Sequence, residues 1–218
     1  MVEELRLWAI NVDAFRQCFA APADLAQELW GITERELEAS KPRSGGWLSK
    51  LGPLMRNPPE GAVIRPGIPN RIDAEAMMTS RYIAAERRDA CWVLARAWLN
   101  ARARANATIP LPRSQIDEME FDLARAEVPT QIGIRHLFQW GLEIPLRPGD
   151  NMSIGYLDQA TVARLAEAWA TALPELVPET VAFATAFLEF VEPFAQYASE
   201  AEEQGTPPID LIAWWTAR

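Results

Sequence analysis

Between Asp73 and Asn106 the chain contains neither proline nor glycine. The stretch is rich in Ala and Arg, both strong helix formers, and opens on Asp73, a residue type that caps helix N-termini. These features predict one α-helix over about 73–106, roughly 50 Å long at 1.5 Å per residue. Its middle, from Cys91 through Trp92, Val93, Leu94 and Ala95 to Trp98 and Leu99, is apolar on nearly every side. A helix of that kind belongs at the centre of a domain, and the other elements are expected to pack around it.

The flanking pattern is mostly helical. Leu5 to Val12 carries apolar residues on both faces and predicts a buried strand. Asp13 is expected to cap a short helix, a second helix follows Pro22 and stops at Gly31, and Thr33 with Glu36 forms a capping box for a third. Ser114, Thr130 and Asp158 each open a further amphipathic stretch. The last long helix, through Phe187 and Val191, should kink at Pro193. Ile209 to Trp215 predicts a terminal strand, and Ile154 to Tyr156 a short one. Unpaired strand edges are costly, so the strands at the two ends are expected to pair with each other. The fold class that follows is α+β, predominantly α-helical, in one domain over 1–218.

One segment breaks this pattern. Six Pro and five Gly interrupt residues 40–72, leaving a long loop of the kind that is usually functional. It is also basic: 40–72 carries six basic residues against one acidic, whereas 107–218 carries six against seventeen. The whole chain has a net charge of −9. That balance argues against nucleic acid and anionic membranes as partners, and no apolar run is long enough to span a bilayer. The acidic opening residues lack the basic start of a secretory signal, and the two cysteines, Cys18 and Cys91, sit in apolar patterns as reduced thiols would. A cytoplasmic location is expected.

The basic loop and the basic face of the following helix form the candidate binding surface: Lys41, Arg43, Lys50, Arg56, Arg81, Arg87 and Arg88. Two readings compete there. The arginines pair internally with carboxylates of neighbouring helices, or they form a surface for an acidic partner or phosphate-bearing ligand.

Catalytic patterns are sparse. His136 is the only histidine and lies in an amphipathic stretch. Ser153 sits before Ile154 and Gly155, but Asn151 stands where a nucleophile elbow needs glycine. One His and two distant Cys make no zinc site. Glu118 and Asp122 are spaced to share a helix face, as acid/base or Mg²⁺ carboxylates do, and Arg125 nearby suits a solvated face equally. Ser44-Gly45-Gly46 lacks the lysine of a phosphate-binding loop. No catalytic residue, metal or cofactor is assigned.

Three segments carry a resemblance: Leu7 to Phe15, Ile154-Gly155-Tyr156-Leu157, and Asp210 to Trp215. In them the chain resembles a family of bacterial proteins known as a domain of unknown function. The resemblance implies a strand at each end and transfers no site residues. Segregated charge suits steering of a partner, which points to a non-enzymatic cytosolic bacterial interaction module of the immunity or antitoxin kind. The alternative is an enzyme or small-molecule binder that recognises an anionic ligand through arginines of 40–106.

Overall fold

Strands β1 (Glu3–Ile10) and β4 (Asp210–Ala217) pair antiparallel along their whole length, from Glu3 opposite Ala217 to Ile10 opposite Asp210. The computed structural model describes residues 2–40 and 66–217. Outside this central pair, β2 (Ala105–Pro110) runs beside β1 and β3 (Met152–Leu157) beside β4, giving an antiparallel order β2-β1-β4-β3. The protein is α+β and predominantly helical, and the expected pairing of the two end strands is present.

Period-two alternation explains why these strands form a buried sheet. Leu5, Leu7 and Ala9 of β1 and Leu211, Ala213 and Trp215 of β4 point to one face and join one core cluster. Trp8 and Trp214 lie on the other face, their ring centroids 5.8 Å apart, and both are buried. A strand buried on both faces reads as a continuous apolar run, as β4 does.

The helices are α1 (Val12–Arg16), α2 (Ala23–Ala39), α3 (Arg71–Met78), α4 (Arg88–Arg102), α5 (Arg113–Arg125), α6 (Gln159–Ala172), α7 (Pro178–Val191) and α8 (Phe194–Gln204). Backbone contacts divide the chain into two compact units: residues 1–17 with 99–218, and residues 18–98. The first unit contains the sheet and α5 to α8. Its core includes Leu157, Leu165, Trp169 and Phe187, with the Trp169 and Phe187 rings 4.9 Å apart. Indole nitrogens that enter this core find acceptors: Trp169 Nε1 donates to the Ile132 carbonyl at 2.9 Å and Trp215 Nε1 to that of Leu111 at 2.8 Å.

The helix expected over 73–106 is instead α3, α4 and β2. α3 starts two residues before Asp73, because Asn70 is the cap and Asp73 completes a capping box with the Asn70 N–H at 2.8 Å. It ends at Thr79 in a Schellman arrangement: Ser80 N–H donates to the Met77 carbonyl and Arg81 N–H to that of Ala76. Ser80 takes the left-handed conformation, φ 51°, normally given to glycine, and its hydroxyl donates to the Phe19 carbonyl. At the other end, Ala105 and Asn106, expected to close the helix, belong to the strand Ala105–Pro110 that pairs with β1.

Smaller corrections follow the same logic. α2 runs through Gly31, whose position meets no neighbouring atom within 4 Å, so no helix starts at Thr33. The Thr33 hydroxyl is buried and accepts from Trp98 Nε1 at 3.2 Å. Asn11, not Asp13, caps α1. The stretch opened by Thr130 forms short 3₁₀ turns over Thr130–Ile132 and Ile134–Phe138. Pro193 divides the expected last helix into α7 and α8. Asp158 caps α6 as expected, accepting the Thr161 N–H at 2.7 Å.

Candidate functional site

The basic residues singled out in the sequence fall into two groups. Lys41, Arg43, Lys50 and Arg56 lie outside the described residues. Of the other three, Arg87 is bound to its own unit. Its guanidinium meets the buried carboxylate of Asp73, with Nε donating to Oδ1 at 2.8 Å and Nη2 to Oδ2, and Nη2 also reaches the Ile68 carbonyl at 2.8 Å. Asp73 raises the Arg87 pKa further, and Cys91 beside this pair is pushed up to about 12 by burial, with the Asp73 charge adding to it. A thiol held protonated that way is inert. Arg81 is exposed and 3.4 Å from Glu75. Arg88 is half-buried at the start of α4.

The carboxylates noted on α5 part company as well. Glu118 is exposed while Asp122 is buried. Burial pushes the Asp122 carboxyl up, but Arg125, the Val177 N–H and the Thr180 hydroxyl outweigh it and hold the pKa below the ordinary value. Arg125 Nη2 sits 2.5 Å from Oδ1 and the Val177 N–H 2.8 Å from Oδ2. Such a group ties α5 to the start of α7 and has nothing left to offer a ligand. His136 is buried, with Nδ1 2.8 Å from Gln139 Oε1 and its ring against Trp140.

A different place in the first unit has the properties of a binding site. A groove of about 650 Å³ opens between α6 and the α7–α8 turn. From α6 it is lined by Ala160, Val162, Ala163 and Ala166, and from the other wall by Val191, Phe194, Ala195 and Ala198. Small residues on both walls keep the helices' backbones close to anything that enters. Val162, Val191 and Phe194 are buried, whereas Ala160, Ala163 and Ala195 face out. Volume and lining are those of a ligand cleft.

Acidic residues also contribute to the lining. Asp210 lines it at the start of β4 and is only 5% exposed. Its Oδ2 accepts the Val12 N–H at 2.9 Å, while Oδ1 accepts no hydrogen bond among the described residues. Leu157 pairs with Leu211, so continuing that register by one residue puts Asp158 opposite Asp210. Burial raises the Asp210 pKa, the Val12 N–H opposes that, and the charges of Asp158 and Asp13 raise it further against Arg16. Like-charged carboxylates facing across strand ends repel. Glu192 on the opposite wall adds a third acid to the lining, which contains no basic residue among the described residues.

Comparisons with protein-family models, with curated proteins and with solved structures find no match to this chain. The site therefore stands on its own geometry.

Sequence reasoning passed over this groove because its walls come from segments some thirty residues apart, α6 and α8. Two signals were present. Alanines recur at helical spacing at 160, 163 and 166 and again at 195 and 198, and a lone Asp interrupts the apolar run Ile209-Asp210-Leu211. Among the described residues no helix is long and apolar enough to cross a membrane, and no group of acidic, His or Cys side chains is placed to hold a metal.

Proposed function

We propose that the protein is a non-enzymatic interaction module of the bacterial cytosol, related in role to immunity proteins and antitoxins, that holds an amphipathic helix of a partner protein in the α6–α8 groove. One observation carries this reading: an open apolar groove walled by small residues. Helix-in-groove recognition needs an apolar channel with room for the partner's backbone, and alanines on both walls supply it. The acidic excess of residues 107–218 favours encounter with a basic partner. Arg87 and Arg81 already face carboxylates of their own unit, which weighs against an anionic ligand there.

The test is a photo-crosslinking amino acid placed in the groove at Ala163 or Ala195, and at exposed Glu179 on α7 as a control, in the native host. The groove positions are expected to trap one protein through an amphipathic segment, and Ala163→Arg is expected to remove the adduct. Adducts that match the control, or that survive Ala163→Arg, would overturn the reading.

A further inference from the structure

We infer that the protein self-associates through the outer face of α5, as a symmetric dimer in which two copies of that helix pack antiparallel with Phe121 on the two-fold axis. Among the described residues α5 contributes none of the lining of the α6–α8 groove, so the two surfaces are separate and the docking reading can fail without affecting this one.

α5 buries Met119, Asp122 and Leu123 and turns Asp117, Glu118, Phe121, Ala124 and Arg125 to solvent. Phe121 stands in the middle of that stripe and is 73% exposed. A lone apolar side chain on a surface is ordinary. What sets this one apart is the charge on either side of it. Residues spaced by four form one ridge on a helix, and the ridge here runs Asp117, Phe121, Arg125. It carries an acid four residues before the phenyl ring and a base four residues after it. Run backwards it is base, ring, acid, so the ridge is complementary to itself.

A two-fold axis at Phe121 sets each residue before it against the residue equally far after it in the second copy. Asp117 then meets Arg125 twice over, Glu118 meets Ala124, and the one side chain that meets its own copy is uncharged. Interlocking of ridges spaced by four is also the commonest way for two helices to pack. Both charged groups keep an unused edge among the described residues. Asp117 binds Arg135 through Oδ1 and leaves Oδ2, while Arg125 binds Asp122 through Nε and Nη2 and the Glu175 carbonyl through Nη2 and leaves Nη1. Those bonds hold the guanidinium in place before a partner arrives, which lowers the entropy lost on binding. Exposed ion pairs contribute little in themselves, so burial of two phenyl rings drives association. The charges select the direction: a parallel pair would set Asp117 against Asp117 and Arg125 against Arg125. One helix pair buries less than the roughly 1,200–2,000 Å² of a stable interface, so the dimer is weak.

The test is sedimentation of the full chain over a concentration series at low and high salt. Monomers are expected to convert to dimers, more readily at low salt because the Asp117–Arg125 pairs are screened as salt is added. Phe121→Ser removes the ring from the axis and should weaken association at least about a hundredfold. Asp117→Arg sets two arginines against each other on both sides of the axis and should weaken it about tenfold at low salt, with added salt now favouring the dimer. Association through Phe121 alone would not show that reversal. Both positions are exposed, and thermal melts that match wild type separate a lost contact from a lost fold. A chain that stays monomeric up to about 1 mM overturns the inference, as does a dimer that Phe121→Ser leaves intact. Equal dimerisation of Asp117→Arg and wild type at low salt overturns it too, because the antiparallel register is then absent.

Discussion

Asp73 in one unit and Asp210 in the other are both buried, and the two are treated in opposite ways. In residues 18–98, Asp73 is enclosed by donors: two guanidinium nitrogens of Arg87 and the Asn70 N–H. In the sheet-containing unit, Asp210 is as deeply buried, yet it takes one backbone N–H and faces another acid. Burying a charge costs several kcal/mol unless partners offset it. A carboxylate with its partners in place explains itself as structure, and one without them asks what it is kept for. Burial alone does not mark a site.

Removing the closed case gives the largest expected effect. Asp73→Ala leaves the Arg87 guanidinium, 12% exposed, without its counter-charge and deletes half of the α3 capping box. Loss of about 3–5 kcal/mol is expected, read as a drop in the urea midpoint at unchanged slope. A change below about 1 kcal/mol would show that Arg87 and Asp73 behave as a surface pair, and the contrast with Asp210 would collapse.

The next prediction uses pH to set a satisfied and an unsatisfied carboxylate of the same unit against each other. Asp122 titrates below the ordinary carboxylate value of 3.8 in the folded chain. The folded state therefore binds its proton more weakly than the unfolded one does. Its stabilisation is complete above that value and is lost as the pH falls through the folded pKa. Asp210 titrates above 3.8, so the folded state binds its proton more tightly, and lowering the pH from neutral through the raised pKa favours folding on its account. Thermal melts across pH should separate the two. Asp122→Asn, expected to cost about 1–3 kcal/mol near neutrality, should flatten the loss below the ordinary carboxylate range. Asp210→Asn should raise the melting point near neutrality, and that advantage should vanish at acid pH. An Asp210→Asn variant less stable than wild type at neutral pH would mean that the carboxylate is satisfied after all.

How much of this was legible in the chain depends on whether the cause was local. The end strands were, since Leu5, Leu7 and Leu211 repeat with the period of a pleated sheet and strands without partners are unstable. The α6 cap at Asp158 was, because capping involves only the next few residues. β2 was not. The run without proline or glycine carried the expected helix on to Asn106, and only the edge offered by β1 claims Ala105 and Asn106 for a strand. The end of α3 was hidden by a serine in a role that glycine usually fills, made tolerable by the tertiary bond from Ser80 to Phe19. The groove was the least legible of all, because it exists only once α6 and α8 stand side by side.

That serine has a counterpart in the other unit, and the pair supports the smallest prediction. Glu127 ends α5 in the same left-handed conformation, φ 61°, with its N–H on the Ala124 carbonyl and that of Val128 on Leu123. Unlike Ser80, its exposed side chain makes no hydrogen bond among the described residues. A residue with a Cβ is strained there and glycine is not. Glu127→Gly should thus stabilise by up to about 1 kcal/mol, since relief of strain is opposed only by added freedom in the unfolded chain. Ser80→Gly relieves the same strain but forfeits the bond to Phe19, worth about 1 kcal/mol, and should come out neutral or unfavourable. Equal gains from the two changes would show that the Ser80 hydroxyl contributes nothing, and that α3 ends where it does for backbone reasons alone.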